Sequence, residues 1–288
     1  LPLWEKCLKA IASQKYPKKL IQHIVMDAGS TNGSIELAKS YGCTVIVRKD
    51  LLHFSQKRMS IGIQKSKGEL ILFLEPDNIM TSSDWLSRMV EPFEDKKIIG
   101  SYSMHNTYSQ GMSALSIYFA LIGANDPILF YLGKSEKNLI YKKSYTLGHT
   151  LYEKDNYLSV KFNLQTLPTL GDNGHMVRKK VINMVNRGAE KFIHVDAFYQ
   201  LALLHHDTYG VVKNAIIHDN CPDNNIYKAL AKRVEFKEKF TDRSLVRRLY
   251  LVFNRHSVTD IVRLIMYIVL SITIVPMVLF SVYGFLRY

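Results

Sequence analysis

The fold is decided by residues 68–78, which read Gly68-Glu69-Leu70-Ile71-Leu72-Phe73-Leu74-Glu75-Pro76-Asp77-Asn78. Five apolar residues between polar neighbours are typical of a strand covered on both faces of a sheet. Ligands of open α/β sheets bind at the carboxyl ends of such strands, so Glu75 and Asp77 are placed where a substrate would lie. Carboxylates at that edge suit Mg²⁺ or Mn²⁺. Pro76 and Asn78 are also common turn residues, so a strand followed by a plain turn is the alternative.

The first 222 residues alternate strand and helix patterns, which predicts an α/β domain with a mostly parallel sheet flanked by helices. Helix patterns cover residues 1–12, 34–41, 56–66, 85–93 and 179–185, and strand patterns cover residues 20–26, 44–47, 98–103, 192–196 and 211–218. The sequence opens on a helix with no strand before it, so we expect the first strand of the sheet to be missing. The rhythm is lost at residues 104–169, which we interpret as an insert that shapes the substrate cleft.

Composition restricts the class of protein. The chain has 288 residues, of which 47% are hydrophobic, which excludes a disordered protein. The three cysteines are widely spaced and form no C-x-x-C pair, which indicates neither a disulfide framework nor a zinc site. The net charge of +13 favours an anionic partner: nucleic acid, lipid or phosphorylated substrate. Because no nucleic-acid-binding motif is present, we assign the charge to lipid and phosphate and expect no nucleic-acid partner.

The C-terminal residues predict a membrane anchor. Residues 264–286 carry no formal charge and, as a helix of about 35 Å, would cross a bilayer, so we assign residues 258–288 to a transmembrane helix. Residues 223–257 are rich in lysine and arginine and predict a basic amphipathic segment on anionic headgroups. This basic flank places the catalytic domain in the cytoplasm. The alternatives are a buried core helix and a solvated basic face.

Short motifs along residues 1–220 occur in a recognisable order. They are Gln14-Lys15-Tyr16-Pro17, Asp27-Ala28-Gly29-Ser30-Thr31-Asn32-Gly33, the run from Gly68 to Asp77, the stretch from Gly174 to Arg178, and His194-Val195-Asp196. In this order they resemble the family 2 glycosyltransferases, in particular membrane-anchored bacterial members. The resemblance implies the GT-A fold and transfer of a sugar, with inversion, from a nucleotide diphosphate donor in the presence of Mg²⁺ or Mn²⁺.

The resemblance also implies roles for individual residues near the donor. Asp27, with Gly29 and Ser30, corresponds to the acidic turn that holds the nucleotide's base or ribose. A turn in which Asp27 only binds its own backbone is the alternative. Glu75 and Asp77 correspond to the metal-binding pair, with Asp77 also at the nucleotide. Glu replaces Asp at the first position, which lengthens its reach by one methylene group.

Further roles are implied for residues later in the chain. Asp196 corresponds to the general base that takes a proton from the acceptor hydroxyl, and His218 to a further metal or diphosphate ligand. The loop under the donor sugar corresponds to Asp172, Asn173 and Gly174, with Arg178 near phosphate or acceptor. For these positions the alternatives are an exposed Asp, a structural His and a plain glycine turn.

The resemblance implies a hexosyltransferase-type enzyme that acts on a lipid-linked or glycan acceptor at the cytoplasmic membrane face, as in assembly of cell envelope polysaccharide. Its partners would be a nucleotide-diphosphate sugar, this acceptor and membrane lipids. Ala28, Glu75 and Val195 depart from the family pattern. They leave open an inert membrane protein that keeps the fold and binds a glycan or a partner, and a nucleotidyltransferase is a third possibility.

Overall fold

The computed structural model describes residues 1–163, 166–168, 173–185, 208–231, 253–272 and 282. The helices are α1 (Pro2–Ala12), α2 (Ser34–Ser40), α3 (Ser55–Lys65), α4 (Trp85–Val90), α5 (Ala114–Ile122), α6 (Pro127–Tyr131), α7 (Lys179–Val185) and α8 (Val258–Ile272). The strands are β1 (Ile24–Asp27), β2 (Thr44–Val47), β3 (Leu70–Phe73), β4 (Asn78–Met80), β5 (Ile98–Thr107), β6 (His149–Glu153), β7 (Tyr157–Lys161), β8 (His175–Arg178) and β9 (Thr208–His218).

The described strands form two sheets. β1 and β2 make a parallel pair, and the other seven strands make a sheet in the order β3-β8-β5-β9-β7-β6, with β4 paired to β9. Within this larger sheet only β5 and β9 are parallel; β8 runs antiparallel to both β3 and β5. The expected mostly parallel sheet is therefore wrong in detail. The sheet is mixed because β8 enters it in the reverse direction between β3 and β5.

The two faces of the larger sheet are both covered. Met176 and Val212 are buried on one side with Trp85 of α4, whereas their neighbours Val177 and Val211 are buried on the other. Since successive side chains of a strand point to opposite faces, this pattern means that apolar layers cover both sides. A further buried group, around Leu8 of α1, packs against β1 and β2.

β3 is less buried than its sequence predicts. Leu70, Ile71 and Leu72 are only half-buried, and only Phe73 is fully buried. The reason is its position, because among the described residues β3 pairs with β8 on one side and has no partner on the other. β1 likewise pairs only with β2. The chain segments before β1 and β3 are joined directly, since Lys67 N donates to Gln22 Oε1 at 2.7 Å.

The insert at residues 104–169 is more regular than expected. β5 extends through Thr107 into its beginning, and the insert carries α5, α6 and the antiparallel strands β6 and β7. β7 pairs with β9, so part of the insert belongs to the sheet itself. The predicted strand at residues 192–196 and the helix after it lie outside the described residues.

α5 has a defined cap at each end. Ser113 Oγ accepts a hydrogen bond from Ser116 N at 3.0 Å, and Gly123 ends the helix with φ +65°. A Cβ atom on Gly123 would clash with the carbonyl oxygen of Lys137. Only glycine fits both the left-handed conformation and this close backbone approach.

Two apolar stretches are relevant to a membrane. Among the described residues, Ala114–Tyr131 is the stretch long and apolar enough, by length and composition alone, to be a candidate span, and a third of it is buried. The structure breaks this stretch at Gly123, and α5 has only 9 residues, which corresponds to about 14 Å. The predicted transmembrane helix begins as α8, and most residues after Ile272 lie outside the described part, so that helix stays a prediction.

Replacing Gly123 by alanine is expected to destabilise the protein more than replacing Gly111. Both glycines have positive φ, but a Cβ on Gly111 would meet nothing within 4 Å. Gly111→Ala should cost about 1 kcal/mol of unfolding free energy from backbone strain alone. Gly123→Ala should cost about 1–3 kcal/mol more because the added methyl group contacts the Lys137 carbonyl. Chemical denaturation measures both values, and equal costs would contradict the close approach.

Candidate functional site

The turn after β3 brings together two of the predicted ligands. β4 pairs with β9 so that Asn78 lies opposite His218. In this register Asp77 Oδ2 lies 3.4 Å from His218 Nε2, and Asp219 N donates to the Asp77 carbonyl at 3.0 Å. His218 is buried, and the Asp77 side chain is 23% exposed. A carboxylate and an imidazole that are distant in the sequence therefore meet at the carboxyl end of β3.

Glu75 does not complete a three-ligand set with them. Among the described residues, no group of three or more His, Cys, Asp and Glu side chains is arranged to hold a metal ion. The predicted trio of Glu75, Asp77 and His218 is therefore not assembled. The physical reason is the turn at Pro76 and Asp77, because the alternation that would put residues 75 and 77 on one side ends with the strand.

The amide side chain of Asn78 connects this turn to the predicted donor loop. Its Nδ2 atom donates to Asp77 Oδ1 and to Asn173 Oδ1, both at 3.2 Å, and its Oδ1 atom accepts from Glu75 N at 3.1 Å. Asn78 and Asn173 are both buried. Asn78 thus fixes the orientation of the Asp77 carboxylate and holds the loop beside it.

Gly174 anchors the same loop to the sheet. Its N–H donates to the Phe73 carbonyl at 3.0 Å, and its φ is +71°. A Cβ at this position would lie 2.7 Å from Ile216 Cδ1 and 3.3 Å from the ring of Trp85. The structure therefore brings Asn173 and Gly174 to the carboxyl end of β3. Asp172 and the predicted base Asp196 lie outside the described residues.

The acidic turn after β1 is closed by its own carboxylate. Asp27 Oδ1 accepts from Gly29 N at 2.5 Å and from Ser30 N at 2.7 Å, while Oδ2 accepts from Ser30 Oγ at 2.8 Å. Gly29 has φ +97°, and a Cβ on it would lie 2.6 Å from Lys49 Cγ. The alternative role considered for Asp27, binding its own turn, is thus present in the structure. A carboxylate has about four acceptor positions, so this role leaves room for a ligand donor.

The pKa of Asp27 is lowered from its ordinary value. Partial burial acts to raise it, but the hydrogen bonds from Ser30 and Gly29 and the positive charge of Arg58 outweigh that effect. The folded-state stabilisation from this ionised carboxylate is present at neutral pH and is lost as the pH falls through the lowered pKa. Asp27 is therefore an anion at neutral pH, ready to accept hydrogen bonds.

Cys7 of α1 lies directly against the turn after β3, which carries Glu75 and Asp77. Its thiol donates to the Glu75 carbonyl at 3.9 Å, and burial raises the pKa of the thiol to about 12, with smaller contributions from the nearby carboxylates of Asp77 and Glu75. Cys7 is thus a neutral packing residue under the turn. α1 therefore packs both against the turn that carries Glu75 and against the β1–β2 pair.

Comparison with known families decides the assignment. Residues 2–150, just over half of the chain, match the family described as Glycosyl transferase family 2. The chain belongs to this family. Membership confirms the expected α/β glycosyltransferase fold, with the correction that the sheet is mixed.

The individual relatives share 10–30% of their aligned residues with this family-2 chain. The glycosyltransferase AglE of Haloferax volcanii is 30% identical over 120 residues, which cover 40% of this chain and 39% of the relative. The chain therefore spans well under half the length of that relative. Staphylococcus aureus TarS (residues 1–349) has a TM-score of 0.49 at 13% identity, covering 85% of this chain and 63% of that one. The mannosyltransferase PcManGT of Pyrobaculum calidifontis, in complex with GDP-Man and Mn²⁺, has a TM-score of 0.46 at 10% identity, covering 100% and 77%.

Arg178 of this family-2 chain is placed away from the predicted donor loop. In the register of β3 and β8 it lies opposite Leu70, at the start of β3, whereas Asp77 follows the end of that strand. Its guanidinium donates to the carbonyls of Phe93, Asp95 and Ile98 at 2.6–3.1 Å. Arg178 therefore stabilises residues 93–98 and lies outside the candidate site.

Sequence reasoning missed Lys137 as part of the site. This residue lies in the insert, within a charged run that reads as a solvated surface. In the structure it is 1% exposed, and its Nζ atom donates to the Asn173 carbonyl at 3.2 Å. No local pattern distinguishes it from an exposed lysine, because its burial depends on contacts with residues far away in the sequence.

Arg178→Met is expected to lower the free energy of unfolding by about 2–4 kcal/mol, because three partly buried carbonyls lose a charged donor. The matched control is Arg48→Met, which removes the exposed ion pair with Asp50 and should change stability by about 0.5 kcal/mol or less. Urea denaturation measures both. Nucleotide affinity lost in Arg178→Met at unchanged stability would return Arg178 to the site.

Proposed function

We propose that this chain transfers a sugar from a nucleotide-diphosphate sugar to an acceptor hydroxyl with inversion. The observation that carries the proposal is the meeting of Asp77 with His218 at the carboxyl end of β3, beside Asn173, in a chain of this family. Ligands of α/β sheets bind at this end of the strands. A catalytically inert glycan-binding or partner-binding protein, suggested by Ala28, Glu75 and Val195, is the competing function.

The donor set fits a divalent cation. Asp77 supplies carboxylate oxygen and His218 imidazole nitrogen, a combination that suits Mn²⁺, with Mg²⁺ as the alternative. The buried Nδ1 atom of His218 makes no hydrogen bond within the described residues. Two protein ligands suffice, since such an ion also takes substrate phosphate oxygens and water. When bound, it neutralises the charge that develops on the leaving diphosphate.

The nucleotide is proposed to bind at the turn after β1. The Asp27 carboxylate is held in place by Gly29 and Ser30 and keeps acceptor capacity for a ribose hydroxyl or a base N–H. Lys49 lies along Gly29 and adds positive charge next to this turn. Asp27 would therefore orient the nucleoside, while a cation held by Asp77 would contact the diphosphate end.

The acceptor proton is proposed to go to Asp196, by resemblance to the base of this family. Inversion needs one carboxylate on the face opposite the leaving group, within hydrogen-bond reach of the acceptor hydroxyl. Asp172, Asn173 and Gly174 would form the loop under the donor sugar. Asn173 and Gly174 lie at the end of β3, which supports this part of the proposal.

We also propose residues 1–222 as the catalytic domain, 223–257 as a basic membrane-surface segment and 258–288 as the anchor, with the domain in the cytoplasm and a lipid-linked or glycan acceptor. On α8, Met266 and Val269 belong to an apolar face that is about half exposed, whereas Tyr267 packs on Tyr131 of α6 at 5.3 Å between ring centroids. An exposed apolar face of this kind favours contact with lipid. Anchoring at that surface would bring the enzyme to a lipid-borne acceptor.

The function is tested by separating donor binding from transfer. With Mn²⁺ and UDP or GDP at about 100 times the dissociation constant, the wild type should gain about 2.7 kcal/mol, or a melting-temperature rise of roughly 5–10 °C. Asp77→Asn and His218→Gln should each weaken Mn²⁺-dependent nucleotide binding about tenfold or more, because each removes a ligand. Asp196→Asn should keep nucleotide binding and lose transfer by about 10²–10⁴-fold.

The matched control for these variants is Asp155→Asn, which removes an exposed carboxylate in the turn between β6 and β7, away from the site, and should leave binding unchanged. Mn²⁺-dependent binding without any transfer or donor hydrolysis in the wild type would favour the inert protein. Absence of Mn²⁺-dependent nucleotide binding in the wild type would refute the enzymatic proposal.

Membrane attachment is tested with the full chain. Replacing Met266 and Val269 together by glutamate should reduce flotation with phosphatidylglycerol-containing vesicles, because each charge costs up to about 3 kcal/mol inside a bilayer. Leu151→Glu, at a similarly exposed apolar residue of β6, is the control and should float like the wild type. Equal flotation of all three proteins would exclude α8 as the lipid-contacting element.

A further inference from the structure

The insert contains a buried run of polar residues that the proposed function does not use. Lys134, Glu136, Lys137 and Asn138 are all between 1% and 8% exposed. Lysine and glutamate are among the residues least often fully buried. A buried charge is costly unless it is paired, so a run of this kind needs a physical explanation.

Lys137 is the most deeply buried residue of this run. Its Nζ atom donates to the Asn173 carbonyl at 3.2 Å, lies 3.6 Å from Glu136 Oε1 and lies 5.2 Å from the centre of the Tyr102 ring. Burial lowers the pKa of the ammonium group, while the Glu136 carboxylate acts in the opposite direction. These contacts give the lysine an anionic partner, an aromatic face and one backbone acceptor in the donor loop.

The backbone of Lys137 is fixed from two sides. Its N–H donates to the Gly123 carbonyl at 2.9 Å, and the next residue, Asn138, donates from its N–H to the Met104 carbonyl at 2.8 Å. Gly123 is the close-contact glycine at the end of α5, and Met104 lies in β5. The lysine is therefore held by the sheet, and its Nζ atom has a defined position relative to β3.

Asn173, which accepts a hydrogen bond from Lys137, is connected to the proposed metal ligands by further polar contacts. Asn173, whose carbonyl accepts from Lys137, also accepts from Asn78 through its side chain. Asn78 in turn donates to Asp77 Oδ1, and Asp77 Oδ2 lies next to His218 Nε2. Each step is within 3.4 Å, so the buried lysine is linked to the Asp77 carboxylate by consecutive polar contacts.

We propose that Lys137 is a positioning residue that, through Asn173 and Asn78, holds the Asp77 carboxylate in the orientation required for the metal and the diphosphate. The inference rests on the proposed function. Lys137 touches neither of the proposed metal ligands and acts only by fixing the donor loop. A purely structural ion pair with Glu136 would not depend on Asn173 and would not affect the Asp77 carboxylate.

The test removes the charge pair without leaving a lone buried charge. The double variant Glu136→Gln/Lys137→Met keeps the side-chain shapes and avoids an uncompensated carboxylate, which would destabilise the fold. Lys137→Arg, which keeps a positive donor, is the conservative variant. Lys134→Met removes the other buried lysine of the run, three residues away, and is the matched control.

The first readout needs no ligand. Hydrogen exchange of the Gly174 amide, which donates to Phe73, should become at least tenfold faster in the double variant, while amides shared by β5 and β9 stay protected. Lys134→Met should leave the exchange of Gly174 unchanged. Wild-type exchange at Gly174 in the double variant would overturn the proposal, because Lys137 would then not hold the loop.

The second readout is the affinity for Mn²⁺ at saturating UDP or GDP, measured by calorimetry. The double variant should lose about tenfold in this affinity, and Lys137→Arg should recover part of it. In an Asn78→Ala background the same substitutions should cost less than twofold, since the route to Asp77 is already broken. Full additivity with Asn78→Ala, or an affinity equal to that of the wild type, would overturn the proposal as well.

The two proposals fail in different ways. A wild type that binds no Mn²⁺ with either nucleotide refutes the enzymatic function, and the positioning role falls with it. A wild type that binds Mn²⁺, together with a double variant that binds it equally well, refutes the role of Lys137 alone.

Discussion

The short antiparallel pairing of β4 with β9 fixes the position of Asp77 relative to His218. It places Asn78 opposite His218, and Thr81 Oγ1 and Trp85 Nε1 both donate to the Ala215 carbonyl at 2.8–2.9 Å, which secures the same strand. A slip of one residue would turn His218 to the other face of the sheet. The meeting of Asp77 with His218, and therefore the proposed cation site, depends on this register.

The buried polar groups around Asp77 hold the donor loop in one orientation. Asn78 and Asn173 are hydrogen-bonded to each other, and Lys137 reaches the same loop from the insert. A buried polar network is stable only when its members are satisfied together, and a partly satisfied one is costly. The hydrogen bonds of Asn78 and Lys137 to Asn173 therefore fix the orientation of the loop beside Asp77, as the proposed site requires.

Local patterns in the sequence predicted the local structure well. β2 occupies the expected residues 44–47, α3 lies within a few residues of its predicted bounds, and Asp77 follows its strand as expected. Long-range features were not predictable, because no periodicity encodes strand direction or partner. Three such features arise from contacts between segments that are distant in the sequence. They are the reversed direction of β8, the hydrogen bonds from Arg178 to the carbonyls of residues 93–98 and the burial of Lys137. Among the described residues Glu75 does not join Asp77 and His218 in a three-ligand group, and its proposed contact with a metal stays a prediction.

α8 is in direct contact with the insert that carries Lys137. Arg263 donates to the Leu132 carbonyl at 3.2 Å, and its guanidinium would lie 2.9 Å from a Cβ on Gly133. Lys137 follows only four residues after Gly133, and packed protein interiors transmit displacement because they compress little. A displacement of α8 would therefore be passed through Leu132 and Gly133 to the chain segment that carries Lys137.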